Sequence, residues 1–212
     1  MSRVSAPPLR HRADMGWRRR HAFGALGLRP ALAEHSQAEA TLLQQHARGA
    51  HTIVEIGVAE GGSALEMREV MDPDGTLVLV DPYPPGRLRV SFARIVARRT
   101  VARCDRASVE WMRATSRDAA TRWRGEIDLL FIDGDHSEPG VREDWELWSP
   151  LVKVGAHVAL HDARAVAGGW PGDRRWIDES AGPVVLAEEI RADPAWTLAG
   201  EAETTVVFRR ER

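Results

Sequence analysis

The chain has 212 residues, a formal net charge of −2 and a hydrophobic content of 43%, the size and composition of one domain with a sizeable core. Lysine and arginine together number 29, yet Lys153 is the one lysine. An amine nucleophile, a Schiff base or a phosphate-loop lysine would have to be that residue, and no G-x-x-x-x-G-K-[ST] surrounds it. A single cysteine, Cys104, excludes an internal disulfide framework and a cysteine-only metal site, and the slight negative charge argues against nucleic-acid binding through overall charge.

Residues 1–30 carry seven arginines with Asp14 as the only acid, and residues 1–35 read as a basic leader or surface flap. This stretch lacks the apolar segment of a secretory signal, and no apolar run approaches the roughly 18 residues that span a bilayer, so a cytoplasmic protein without membrane contact is expected. From residue 36 to 212 the pattern is that of a single α/β domain. Ser36-Gln37-Ala38-Glu39 has the spacing of a capping box, and Leu42, Leu43 and Ala47 then recur on one helix face. Thr52 to Ile56 is a β-branched strand run ending in glycines, followed by a helix from Gly62 to Met71. The turn Asp72-Pro73-Asp74-Gly75 leads into a second buried strand, Thr76 to Val80, closed by Asp81.

A helix is expected near Leu88 to Arg98, a weak third strand at Thr100 to Arg103 and a helix from Ser108 to Trp123. The clearest strand, Ile127 to Ile132, ends in Asp133-Gly134-Asp135-His136. A helix around Val141 to Leu151 and a strand His157 to Leu160 ending in His161-Asp162 complete five β-α units, the pattern of a parallel sheet covered on both faces. Ala163 to Pro183, rich in glycine and holding Trp170 and Trp176, reads as a long functional loop that closes over an acceptor. A helix at Val184 to Ala192 and a hairpin of Ala195 to Ala199 with Thr204 to Arg209 end the chain.

Ligands of such sheets bind beyond the carboxyl ends of the strands. The residues there are Glu55, Asp81, Asp133, Asp135, His136, His161 and Asp162. Any one acid could simply cap the next helix, but four strands ending this way describe one constellation. Gly57-Val58-Ala59-Glu60-Gly61-Gly62 nearly matches G-x-G-x-x-G, with Ala59 where a second glycine would admit a pyrophosphate. Glu55 would repel a pyrophosphate and suits a cationic ammonium or sulfonium group, while Asp81 is placed for two ribose hydroxyls. Together they describe a pocket for S-adenosylmethionine (SAM), which is zwitterionic and carries no phosphate.

The segments Val54 to Ser63, Val80 to Tyr83, Ile127 to His136 and Pro150 to Asp162 resemble class I SAM-dependent methyltransferases, within them the bacterial branch of catechol- and macrolide-sugar-type O-methyltransferases. The resemblance covers about residues 36–210 and implies a Rossmann-like seven-stranded sheet of order 3-2-1-4-5-7-6, its last strand antiparallel. It implies SAM contacts from Glu55, Gly57, Gly61, Gly62, Ser63, Asp81 and Asp133, adenine contacts from Ala107 and Ser108 after the third strand, and packing of Tyr83 over the cofactor. It further implies catalysis by Asp133 with His136 as general base, and a divalent cation, Mg2+ or Mn2+, held by Asp133, His161 and Asp162. His161 stands where metal-dependent relatives carry an acid; an imidazole is a poor ligand for Mg2+ and a metal-free site with two histidines flanking the acceptor is the competing arrangement.

The activity expected is methyl transfer to a hydroxyl of a small sugar or polyketide-type natural product, in a protein that pairs as a homodimer and binds no nucleic acid. The alternatives are a protein that holds SAM without transferring its methyl group, and a metallohydrolase built on Gly134-Asp135-His136 and His161-Asp162, which would leave Glu55 and Asp81 without a task.

Overall fold

The structure is a computed structural model and describes residues 10–11, 17–86, 89–165 and 180–212. Seven strands form one sheet: β1 Thr52–Ile56, β2 Thr76–Val80, β3 Ser108–Met112, β4 Ile127–Ile132, β5 Val152–Leu160, β6 Trp196–Ala202 and β7 Thr205–Arg210. Their order is β3-β2-β1-β4-β5-β7-β6, with β7 antiparallel to both neighbours and the remaining pairings parallel. The expected strand order and antiparallel strand are therefore found.

The central strands are apolar on both faces because helices cover both. Ile53 packs with Leu43 of α2 (Gln37–Ala47), Met67 of α3 (Gly62–Arg68) and Ala97 of α4 (Phe92–Val101). Val54, one residue on, points the other way, toward Ala119 of α5 (Ser116–Arg122), Val141 and Trp148 of α6 (Glu138–Trp148) and Leu186 of α7 (Gly182–Ala192). The capping box at Ser36 is formed, with the hydroxyl accepting from the Glu39 amide and the Glu39 carboxylate accepting from the Ser36 amide.

The third strand differs from expectation. Thr100 and Val101 end α4, and the strand is Ser108–Met112, where a helix was expected to begin. Ser-Val-Glu-Trp-Met is an edge strand, partly exposed along its length, so it lacks the apolar run that marks the others.

The described part of the arm before residue 36 is folded onto the glycine turn rather than left in solvent. A further helix, α1 (Trp17–Ala25), packs on α4, and two-residue strands at Arg10–His11 and Leu32–Ala33 pair in parallel. The clamp is Glu60, buried between β1 and α3. Its carboxylate is 2.6 Å from His21 Nδ1, accepts from Arg29 Nη1 at 2.8 Å and Nη2, and accepts from the Leu32 amide at 3.0 Å. Burial alone would raise this carboxyl, but those bonds and the Arg29 charge hold it down at about 2.

Because the folded-state value is depressed, the stabilisation is complete above the ordinary carboxyl range near pH 4.5 and is lost as pH falls toward 2. Glu60→Gln is expected to destabilise the arm by about 3 kcal/mol. Hydrogen exchange should show protection lost over residues 17–35 while the central strands keep theirs; unchanged protection of the arm would contradict the clamp.

Candidate active site at the carboxyl ends of the strands

The cleft is organised by a close approach of two strand ends. At Gly57, with φ +81°, an added Cβ would lie 2.1 Å from the Asp133 carbonyl oxygen, so only glycine fits between β1 and β4. The Gly57 amide donates to Val80 O at 2.9 Å and the Asp133 amide to Ile56 O at 2.8 Å, which ties the ends of β2, β1 and β4 together. Ala59 occupies the next special position at φ +46°, a conformation that costs a non-glycine residue about 1 kcal/mol. Its amide and that of Val58 donate to Asp81 Oδ2, while Asp81 Oδ1 accepts from Tyr83. Asp81 therefore fixes the glycine turn as well as facing the cleft, and burial raises its pKa despite these bonds.

On one side of this seam lies Glu55, fully buried at the end of β1. One carboxylate oxygen accepts from the Ser63 hydroxyl of α3, and the other has no partner among the described residues. Burial, reinforced by Asp133, Asp81 and Glu66, drives its pKa well above the ordinary value, so the position favours either a proton or an incoming cation. A partnerless carboxylate beside a glycine turn fits the ammonium group of SAM. Gly61 caps α3 at φ +77°, and a Cβ on Gly62 would meet Ala33 Cα at 2.8 Å, which packs the arm against the start of that helix.

On the other side a chain of acids and imidazoles runs inward from the cleft. His136, with a side chain 37% exposed, has Nδ1 3.2 Å from Asp162 Oδ2 and Nε2 3.1 Å from Asp133 Oδ1. The same Asp133 oxygen is 2.9 Å from Nδ1 of buried His161, whose Nε2 lies 3.9 Å from Glu39 Oε1. Glu39 is completely buried and accepts from the Thr204 amide and hydroxyl, the Thr205 hydroxyl and the Ser36 amide. Asp162 reaches His136 from a left-handed backbone at φ +51°. Burial would lower both imidazoles, but the hydrogen bonds to Asp133 and Asp162 carry His136 up to about 10. The Asp133 charge and hydrogen bond, with Asp162 and Glu39, carry His161 up to about 9. Asp133 is held far below the ordinary carboxylate range: burial opposes this, and the His161 charge and the bonds from both histidines outweigh it.

Glu55, Gly57, Gly61, Gly62, Ser63, Asp81, Asp133, His136, His161 and Asp162 thus lie where the sequence places them, at the carboxyl end of the sheet. The remaining expectations fare differently, and the adenine contacts are corrected. Ala107 precedes β3 and Ser108 begins it, at the amino end, bonded to Pro73, Gly75 and Thr76; the cleft end of that strand is Met112, with Arg113 and Ala114 after it. Tyr83 is buried against Trp111, close enough to Asp81 and Glu55 that both add to burial in raising the pKa of its hydroxyl. His136 has both ring nitrogens within hydrogen-bond reach of carboxylates, so any proton it exchanges is shared with Asp133 and Asp162. The expected metal set shifts as well: among the described residues, the three whose ligand atoms lie within 4.8 Å of one another are Asp133, His136 and His161, with Asp162 turned to His136. Trp170 and Trp176 lie outside the described residues.

Two participants escaped the sequence. Glu39 reads there as a capping-box acid and nothing more, and Arg113, donating to Pro82 O and Tyr83 O, follows a strand whose position was misread. Near Arg113, at the rim beyond β2 and β3, a cavity of about 260 Å³ is lined by Arg89, Arg94 and Arg98.

A family profile described as a methyltransferase domain matches residues 54–163, which span β1 to the end of β5 and hold every group of the cleft except Glu39. The chain belongs to the methyltransferase-domain family. Its fold is that of the class I methyltransferases. A Corynebacterium glutamicum protein superposes with a TM-score of 0.65 at 19% identity, over 92% of this chain and 89% of that one. The Streptomyces achromogenes O-methyltransferase TomG, solved with SAM and involved in tomaymycin synthesis, gives 0.61 at 22% identity with the same coverages. A Bacillus cereus O-methyltransferase solved with S-adenosylhomocysteine gives 0.59 at 19%, over 92% and 90%.

Two substitutions test this seam. Gly57→Ala must push β1 and β4 apart and is expected to abolish cofactor binding, whereas Ala59→Gly relieves the left-handed alanine and should raise stability by about 1 kcal/mol in denaturant unfolding. A neutral Gly57→Ala would remove the seam from the account.

Proposed function

We propose that this methyltransferase moves the methyl group of SAM to a hydroxyl oxygen of a small molecule. The observation that carries the reading is the partnerless, buried Glu55 oxygen, set across Gly57 from the Asp133 cluster. It gives the cofactor's ammonium a counter-charge on one side and leaves for the acceptor, on the other, a polar cluster whose exposed member is His136. Asp81 is the residue for the ribose hydroxyls, and the backbone of Met112 to Ala114 is the edge for adenine.

When bound, SAM supplies a methyl group on a sulfonium sulfur, and a divalent cation would lower the pKa of the acceptor hydroxyl. The chain's own residues orient and deprotonate the acceptor. His136 is the member of the cluster that faces the cleft, and with Asp133 and Asp162 it forms a coupled unit that receives the hydroxyl proton. Methyl transfer is a displacement in line, so placing oxygen and sulfonium on two sides of a rigid glycine seam supplies much of the catalysis. A sugar or polyketide-type acceptor is supported by the involvement of TomG in tomaymycin synthesis. The cytoplasm and a homodimer complete the reading; among the described residues no helix is long and apolar enough to cross a membrane.

Calorimetry should show one SAM bound per chain, weakened at least about tenfold, or 1.4 kcal/mol, by Glu55→Gln. With methyl-labelled SAM and a panel of hydroxylated sugars and phenols, label should pass to an acceptor and His136→Ala should slow that transfer by about a hundredfold. Absence of SAM binding would overturn the reading, and transfer unaffected by His136→Ala would move the acceptor away from this cluster.

A further inference from the structure

Arginines in other parts of this protein meet partners that account for them. Arg29, Arg117, Arg142 and Arg191 pair with carboxylates, and Arg68 and Arg210 donate to loop carbonyls. The cavity of about 260 Å³ beyond β2 and β3 is different: four guanidiniums, from Arg89, Arg94, Arg98 and Arg113, line it, and no carboxylate does. Among the described residues none of the four has an acid partner, and the side chains of Arg89 and Arg94 have no hydrogen bond or ion pair at all. In a chain of net charge −2, such a concentration of positive charge is a local feature and not a property of the whole surface.

The four are placed by two elements and a turn. Arg94 and Arg98 stand four apart on α4 and share a face, where like charges repel and weaken the helix. The Arg98 guanidinium sits over the Trp111 ring, 5.2 Å from its centroid, which fixes it along the edge strand β3. Arg113 continues the alternation of Val109 and Trp111 past the end of β3, and donates to the carbonyls of Pro82 and Tyr83 at 3.4 and 3.3 Å. Arg89 lies in a turn closed by its own amide on Gly86 O at 2.9 Å and by the Gly86 amide on Val90 O at 3.0 Å. Guanidiniums gathered without a carboxylate repel one another, and a bound anion removes that repulsion.

We propose that this cavity binds the phosphate group of a small phosphorylated molecule, at a site separate from that of SAM. Four guanidiniums suit a dianion with several acceptor oxygens, each open to a two-pronged contact, better than they suit one carboxylate. The volume falls below the roughly 300 to 1,000 Å³ of pockets that enclose a whole ligand, so the cavity takes one end of a molecule. Val90 and Ile95 add an apolar wall for the carbon skeleton that carries the phosphate. SAM has no phosphate, and the groups that suit it, Glu55 and Asp81, are acids. The cavity stands on the Asp81 side of the Gly57 contact, away from the Asp133 cluster, and does not depend on the methyl-transfer reading.

The test uses the full chain at low ionic strength, where these charges are least screened. Ribose 5-phosphate, inorganic phosphate, ribose and acetate are titrated separately in a calorimeter. Ribose 5-phosphate should bind once per chain and more tightly than inorganic phosphate, with no heat from ribose or acetate. Arg94→Gln and Arg98→Gln should each weaken it about tenfold, while Arg142→Gln, on α6, should leave it unchanged. Arg98 is exposed, so its replacement leaves the core intact. The affinity should be the same with SAM at saturation. No binding, an equal loss in Arg142→Gln, or inorganic phosphate binding where the ester does not would each overturn the proposal. So would displacement of SAM one for one, which would make the cavity part of the cofactor site, or binding of a single-stranded RNA oligonucleotide in place of ribose 5-phosphate. A protein that binds ribose 5-phosphate and no SAM would leave this site standing and overturn the methyl-transfer reading instead.

Discussion

The approach of the β1 and β4 backbones at Gly57 governs the geometry of the cleft. With no room for a Cβ, the Asp133 carbonyl rests against the glycine, and two backbone hydrogen bonds lace three strand ends together. Glu55 and Asp81 fall on one side of this contact and Asp133 with its histidines on the other. Any displacement at the seam would change the distance between donor and acceptor sites directly, and a misplacement of about 1 Å is enough to cost a displacement reaction two orders of magnitude. The left-handed alanine at position 59 and aspartate at 162 show that strain is accepted around this contact to keep Asp81 and His136 correctly supported.

The compositional bias toward arginine has a structural use away from the cleft. Arg68 donates to the carbonyls of Val101, Cys104, Arg106 and Ala107, and Arg210 to those of Ser149, Pro150 and Val152. A guanidinium has five donors in a fixed plane and satisfies several loop carbonyls at once, which an ammonium on a flexible stem does poorly. The one lysine makes a simple ion pair with Asp128, at the amino end of the sheet and far from the ligand side.

The sheet was legible wherever strands are buried on both faces, because Thr52–Ile56, Thr76–Val80 and Ile127–Ile132 are apolar or β-branched runs broken only by Glu55 and Asp128. It was misread at β3, where an exposed edge strand carries Glu110 and Trp111 and mimics a helical start, and the error carried Ala107 and Ser108 to the wrong end of the domain. The acids and histidines of the cleft were legible from their places at strand ends, since topology alone gathers strand ends. Their partners were not. His136 meets Asp162 across a left-handed backbone turn that the residue types do not announce. Glu39 was hidden because a capping box already explains its residue type, and its second task depends on residues 165 positions away.

That separation bears on how the molecule is made. Glu39 belongs to the first helix of the domain, whereas Thr204 and Thr205, which satisfy it, stand at the turn between the last two strands. As the chain leaves the ribosome, α2 and the first strands can assemble while this carboxylate still has no hydroxyl or amide from the C-terminal hairpin to answer it. The acid and imidazole layer beneath the cleft is therefore complete only once β7 stands between β5 and β6. A nascent chain halted before residue 204 would carry the methyltransferase profile in full and lack the floor of its active site.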